Sequence, residues 1–87
     1  MIYKIQYHPD IKNDLNKISK LNQKKIRSVI EGKLVKDPIR FGKPLQYSLK
    51  GCRRLRVGDY RVIYKVTQST ITILVVKIGH RREVYQG

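Results

Sequence analysis

The chain has 87 residues, with 20 Lys or Arg against 6 Asp or Glu, and its formal net charge is +14 at pH 7. This length supports one small hydrophobic core with little surplus stability, so residues 1–87 predict a single domain. Self-repulsion at this charge favours a polyanionic or acidic partner, and nucleic acid is the first candidate. The single cysteine, Cys52, excludes an internal disulfide and a cysteine-based zinc site.

The first third of the chain predicts a strand followed by a helix. Residues 2–7 form a β-type run in which Tyr3, Ile5 and Tyr7 alternate with Lys4 and Gln6, and a proline ends the run. An amphipathic helix then begins near residue 10, because Ile11, Leu15 and Ile18 recur at the spacing of one helical face.

A second helix follows after a turn at residues 19–22, with Asn22 as the predicted N-cap. This helix ends before Pro38, because the residue before a proline disfavours the helical conformation. The short connection predicts that the two helices pack as an antiparallel hairpin. The apolar face of the second helix carries Ile26, Val29, Ile30 and Leu34.

The second half of the chain predicts a loop, three strands and a tail. Residues 37–50 are mostly loop, since they hold two prolines and a glycine. Gly58 and Asp59 form the tight turn of a hairpin. The predicted strands are residues 52–57, 60–67 and 70–78, and the tail is residues 81–86.

The third of these strands is expected to be the central one, because it is apolar on both faces. Its alternation predicts one face with Ile71, Ile73 and Val75 and another face with Leu74, Val76 and Ile78. The order β-α-α-β-β-β predicts an α+β fold. In it, an antiparallel sheet of about four strands carries the helical hairpin on one face.

The predicted hairpin contains several arginines. Arg54 and Arg56 alternate with Leu55 and Val57, so both guanidiniums leave one face of a pleated strand and both apolar groups leave the other. If the helices cover the apolar side, the arginines line the open side as a basic floor. Planar, permanently charged groups of this kind bind phosphate well. A register error of one residue would invert the arrangement.

The sequence contains none of the common catalytic motifs, such as paired carboxylates, HExxH, a Walker loop or a nucleophile elbow. Two histidines and few acids do not easily build a metal site, so we expect no metal and no cofactor. What remains is chemistry on a substrate that supplies its own nucleophile, as RNA does through its 2′-hydroxyl. Cleavage then needs alignment, a proton acceptor, cations for the transition state and a donor for the leaving oxygen.

Two segments are specific enough to carry a family resemblance. They are LKGCRRLRVGDYRVIY (residues 49–64) and GHRREVY (residues 79–85), and the opening YHP (residues 7–9) and the helical pair agree with them. The chain resembles the RelE/ParE superfamily of bacterial type II toxin–antitoxin systems over essentially its whole length. The aromatic residue after the final arginines resembles the RelE branch, whose members cut mRNA in the ribosomal A site.

The resemblance assigns roles to individual residues. Arg61 matches a phosphate-stabilising arginine, Arg81 an arginine at the leaving group, and Tyr85 a tyrosine that stacks on an mRNA base. Arg54 and Arg56 stand where well-studied members have lysines, one of them proposed as the general base.

Arginine is a poor base because it stays protonated. Either His80 takes the proton or catalysis is mainly electrostatic. Further RNA contacts are expected from Arg53, Arg82, Lys50 and Lys65.

The resemblance therefore implies a ribosome-dependent endoribonuclease that inhibits translation, with mRNA, the ribosome and a cognate acidic, amphipathic antitoxin as partners. One alternative is a ParE-like inhibitor of DNA gyrase without nuclease activity, and another is a catalytically silent RNA-binding module. The N-terminus has no signal-peptide segment and no apolar run approaches a membrane span, so we expect a cytoplasmic protein without membrane contact.

Overall fold

The structure is a computed structural model that describes residues 2–46 and 49–84, with only the backbone of residues 83 and 84. Tyr85, the predicted stacking residue, lies outside the described residues. The elements in chain order are β1 (Lys4–Tyr7), α1 (Ile11–Asn16), α2 (Lys20–Val29), a π-helical turn (Ile30–Leu34), α3 (Pro38–Phe41), β2 (Lys43–Pro44), β3 (Arg53–Val57), β4 (Tyr60–Thr67), β5 (Thr72–His80) and α4 (Arg81–Val84).

The second helix begins earlier than the sequence predicted. Ser19 has extended backbone angles, and its hydroxyl accepts the N–H of Asn22 at 3.3 Å, so Ser19 is the N-cap. Asn22 lies inside the first turn, and its prediction as the cap was wrong. Both residue types cap helices, and the extended backbone of Ser19 decides between them. The side-chain amide of Gln23 donates to the carbonyls of Leu15 and Ile18 and so closes the connection between the helices.

The five-stranded sheet has the order β1-β5-β4-β3-β2, so β4 and not β5 lies in the middle. β1 pairs parallel with β5, whereas β5, β4, β3 and β2 pair antiparallel. The expected wholly antiparallel sheet of about four strands was therefore wrong in strand number and in one pairing. Hydrophobic alternation predicts that a strand exists, but it carries no signal for the direction of its neighbour. The α+β class with its helices on one face is confirmed.

The helices pack on one face of the sheet around a core that leaves the other face open. Leu55 belongs to this core, as the alternation in the hairpin predicted, and Val62, its partner on β4, lies beside it. The helical part of the chain, with its connections, contributes the buried core residues Ile11, Ile18, Ile26, Ile30 and Leu34. Among residues 2–46 and 49–84, no helix is long and apolar enough to cross a bilayer.

A β-bulge changes the expected faces of β5. Tyr64 pairs with Val75 and Ile63 pairs with Lys77, so Val76 is the extra residue of the bulge. The inserted residue reverses the alternation, and Ile78 returns to the helix-side core at 3% exposure. Its predicted placement with Leu74 and Val76 was wrong, because a bulge leaves no mark in apolar periodicity.

The segment predicted as loop contains α3 and β2 and is fastened to the sheet by polar contacts. The Tyr64 hydroxyl donates to the carbonyl of Pro38 at 2.6 Å. The Arg53 guanidinium donates to the carbonyls of Ile39 and Gly42 at 2.7 and 2.9 Å. Gly42 packs so closely on the Tyr64 ring that a Cβ there would overlap the hydroxyl.

Replacing Gly42 tests this close approach. We expect Gly42→Ala to lower the free energy of unfolding by about 1–3 kcal/mol, because the methyl group displaces the Tyr64 side chain and its hydrogen bond. Gly32→Ala is the matched control, since a Cβ at Gly32 meets nothing within 4 Å, and it is expected to raise stability by up to about 1 kcal/mol. Urea denaturation measures both, and equal effects of the two substitutions would contradict the packing argument.

Burial gives Tyr64 a pH-dependent role in stability. Burial raises the pKa of its hydroxyl from 10.0 to about 12, and the nearby Arg53 guanidinium opposes the shift. Below the ordinary pKa the hydroxyl is neutral in the folded and unfolded chain. Above it only the unfolded chain ionises, so stability falls as the pH rises towards 12.

Denaturation of the wild type and Tyr64→Phe at several pH values measures this effect. The wild type is expected to be more stable by about 1–2 kcal/mol near neutral pH, because the variant leaves the Pro38 carbonyl without its donor. Its advantage should fall steadily as the pH rises from 10.0 to about 12, because only the unfolded wild type ionises in that range. A constant difference across that range would show that Tyr64 titrates normally.

Candidate nucleic-acid interface

The hairpin places arginines on the sheet face that the helices leave open. Arg54 pairs with Ile63, and Arg56 lies directly opposite Arg61. Cross-strand partners in an antiparallel pair project from the same face. We call this surface, which carries Arg54, Arg56 and Arg61, the arginine face.

The two central arginines of this face stand in an electrostatically unfavourable arrangement. Like charges directly opposite each other in a sheet destabilise it. On the other side of Arg61 the register places Gly79, which adds no side chain. β3 and β4 contain no acidic residue. A bound anion between Arg56 and Arg61 would relieve their repulsion, so the arginine face is suited to a phosphate group.

The arginines differ in how firmly the fold holds them. Arg54 and Arg61 are half-buried and Arg56 is exposed. Arg54 and Arg61 also engage groups within the protein. Ile63, beside Arg54, packs with Leu45 and Cys52 in a small second cluster. Part of the arginine face is thus covered by the segment before β3, and the exposed part lies toward the hairpin turn.

The predicted lysine contacts lie farther from that turn. Lys65 is exposed and pairs with Leu74 in the half of β4 beyond Ile63. Lys50 is exposed in the segment that precedes β3. Lys65 extends the positive charge along β4 and Lys50 lies in the turn before β3, so the structure does not bring them to the Arg56–Arg61 pair.

The C-terminal tail starts at the turn end of the hairpin. The backbone N–H of Arg81 donates to the carbonyl of Asp59 at 2.8 Å. Arg81 and Arg82 are exposed in α4. The tail therefore brings two further cations to the end of the sheet where Arg56 and Arg61 lie.

His80 lies on the other side of the sheet. It pairs with Tyr60, which packs against the helix-side core, and the two rings meet edge to face with centroids 5.8 Å apart. Its Nδ1 accepts the backbone N–H of Arg82 at 3.2 Å, so the neutral ring carries its proton on Nε2. The structure does not place this ring among the arginines.

Arg53 also points away from the arginine face. It pairs with Tyr64, a residue of the helix-side core, and its guanidinium binds the carbonyls of Ile39 and Gly42. These contacts assign Arg53 to holding the segment that contains α3 and β2. Neighbouring positions in a strand project to opposite faces, which separates it from Arg54.

Asp14 holds the end of β5, a role that sequence reasoning missed. β1 pairs with β5 only as far as Val75. Beyond that point the Asp14 carboxylate accepts the N–H of Ile78 at 3.1 Å and lies 3.6 Å from the Lys77 ammonium. An aspartate on a helix gives no sequence signal for such a contact with a distant strand.

Titratable groups in the described ranges are not gathered into a metal centre. Within residues 2–46 and 49–84, no three His, Cys, Asp or Glu side chains lie together in a way that could hold a metal ion. Cys52 is buried in the second cluster and acts as a small apolar residue.

Comparison with known proteins identifies the family. A family model described as the ParE toxin of the type II toxin–antitoxin system parDE matches residues 5–85. The chain belongs to this family, within the RelE/ParE superfamily of toxins that the two sequence segments indicated.

Curated and solved relatives agree with this assignment. The chain is 30% identical to Toxin RelG of Mycobacterium tuberculosis over 99% of both chains. It is 27% identical to a chain in the RelBE2 toxin–antitoxin complex from the same organism, with a TM-score of 0.88 over 93% of this chain and 100% of that one. A chain of the archaeal RelE–RelB complex from Pyrococcus horikoshii is 26% identical, with a TM-score of 0.66 over 97% of this chain and 100% of that one.

The salt dependence of RNA binding tests the arginine face. We expect Arg56→Gln and Arg61→Gln each to reduce the slope of log K against log salt by about 0.7, the value for one lost phosphate contact on a single strand. A 2′-O-methyl RNA oligonucleotide is suitable because it lacks the attacking hydroxyl. Arg40→Gln, an exposed arginine on α3, is the charge-matched control. Equal slopes for all variants would place RNA elsewhere on the surface.

Proposed function

We propose that this toxin is a ribosome-dependent endoribonuclease that cleaves mRNA in the A site by attack of the 2′-hydroxyl on the adjacent phosphate. Under this proposal it needs no metal ion or cofactor and acts in the cytoplasm as one domain. The products are a 2′,3′-cyclic phosphate and a 5′-hydroxyl. The observation that carries the proposal is the Arg56–Arg61 pair on the open face of the sheet. The likeness to RelG and to two solved RelE complexes supports it.

The arginines supply the electrostatic part of the reaction. Attack of the 2′-hydroxyl adds negative charge to the phosphate oxygens, and fixed cations that meet this charge lower the barrier. Under the proposal Arg61 and Arg56 hold these oxygens, and Arg54 extends the contact along the strand. Arg81, at the hairpin end, stabilises or protonates the leaving oxygen, and Tyr85 stacks on a base.

Two versions of this mechanism differ in the group that accepts the proton of the 2′-hydroxyl. A histidine base needs its ring within hydrogen-bond reach of the 2′-hydroxyl. The His80 ring packs on Tyr60 at the opposite side of the sheet. This position favours the version in which charge stabilisation and alignment supply most of the rate and the solvent takes the proton.

An antitoxin is the second proposed partner. The solved relatives include toxins bound to antitoxins, as their names RelBE2 and RelE–RelB state. The toxin has a net charge of +14. We therefore expect its partner to be an acidic, amphipathic segment of a cognate antitoxin. It would neutralise the toxin by covering the arginine face or by displacing an element next to it.

Mapping RNA ends after expression tests the nuclease. New 5′ ends within codons are expected for the wild type, and they should require phosphorylation before ligation because they carry a hydroxyl. Arg61→Ala is expected to lower the cleavage rate by about 100-fold or more, whereas Arg40→Ala should cut like the wild type. A thermal melt of each variant separates lost chemistry from lost folding. Growth arrest without new 5′ ends would reject the nuclease.

The matching family model supports a second candidate function, because its description names the ParE toxin. A ParE-like toxin would inhibit DNA gyrase by binding it, without an active site. In the same expression experiment it would give double-strand DNA breaks and intact mRNA, so one culture distinguishes the two functions.

A further inference from the structure

A pocket on the helix side of the hairpin end is not used by the proposed reaction. It has a volume of about 410 Å³ and lies between the start of α2 and the turn between β3 and β4. Its apolar lining comes from Ile26 and Val57, and the rings of Tyr60 and His80 form one side. We call it the turn pocket.

The edge of the turn pocket carries three polar side chains of different chemistry. Lys25 and Asp59 are exposed and supply a cation and a carboxylate. Asn22 supplies an amide, whose nitrogen donates weakly to the Tyr60 hydroxyl at 3.4 Å. Aromatic rings with donors and acceptors around them suit a flat heterocycle with polar edges, and a nucleobase is such a group.

The turn pocket and the arginine face meet at the hairpin end. The pair Arg56–Arg61 is followed in the register by the pair Val57–Tyr60, and the chain then turns at Gly58. Successive pairs lie about 3.3 Å apart and face opposite sides of the sheet. An RNA strand with one phosphate between Arg56 and Arg61 can therefore pass around the turn and reach the pocket.

We propose that the turn pocket binds a nucleobase next to the scissile phosphate and sets a base preference at that position. The inference rests on the proposed nuclease function and adds Asn22, Lys25 and Asp59 as specificity-determining residues. Tyr60 and His80 provide the ring contacts, which gives His80 a role on the side of the sheet where its ring lies.

Titration with nucleotides tests the pocket without any cleavage. The four nucleoside 5′-monophosphates are added separately to the purified chain while the ring resonances of Tyr60 and His80 are followed by NMR. At least one nucleotide should shift both rings saturably, and inorganic phosphate at the same concentration should not. Asn22→Ala, Lys25→Gln and Asp59→Asn should each weaken this binding by between about twofold and tenfold, as expected for a lost hydrogen bond. Lys12→Gln, a lysine on α1, should leave it unchanged.

Two results of the titration would overturn the proposal. The first is equal shifts with inorganic phosphate, which would make the pocket an anion site only. The second is no shift of Tyr60 and His80 with any nucleotide, which would leave the pocket to another kind of partner.

Sequencing of the cut sites tests whether the turn pocket sets a base preference during cleavage. The wild type should show base enrichment at one position beside the cut, and Lys25→Gln and Asp59→Asn should reduce the enrichment by between about twofold and tenfold. Lys12→Gln should retain the full enrichment. Unchanged enrichment in the pocket variants would reject the proposal. If the wild type cuts no RNA, the nuclease function fails and the nucleotide titration alone decides the pocket.

Discussion

The register between β3 and β4 is the constraint on which the rest of the molecule depends. Pairing Leu55 with Val62 buries both residues beneath the helices, and the same pleat sends Arg56 and Arg61 to the open face. Because side chains alternate strictly, a slip by one residue would bury the arginines and expose the core. Hydrophobic burial therefore fixes the positions of the charges, although the charges themselves repel each other.

The surrounding polar contacts keep this hairpin in place. Arg53 and Tyr64 bind the carbonyls of the α3 segment at one end of the sheet. Asp14 holds β5 past the point where β1 stops pairing, and Arg81 bonds to the hairpin turn. Each contact joins an end of the hairpin or its neighbour to a separate part of the chain. A small core gives little surplus stability, so a chain with this much like charge needs such polar contacts.

Residues of one chemical type take separate roles according to position. Arg53, Arg54 and Arg56 stand close in one strand, yet the first binds backbone carbonyls and the others lie on the arginine face. His80 has a ring suited to proton transfer, but it meets Tyr60 and the helix side of the sheet. Sequence similarity to a family suggests such residues for a site, whereas the face that each one occupies decides whether it reaches the substrate.

The amino-acid sequence alone determined the α+β class, the hairpin with its turn at Gly58–Asp59, and the sides taken by Leu55 and Arg56, because these follow from local turn chemistry and from the period of two in a strand. The hairpin and tail segments of the sequence also indicated the family. Tertiary structure alone decided the parallel pairing of β1, the bulge that returns Ile78 to the core, the bonds of Arg53 to the α3 segment, and the position of His80 away from the arginine face. These features depend on contacts between distant parts of the chain, and local patterns of apolar and polar residues do not encode them.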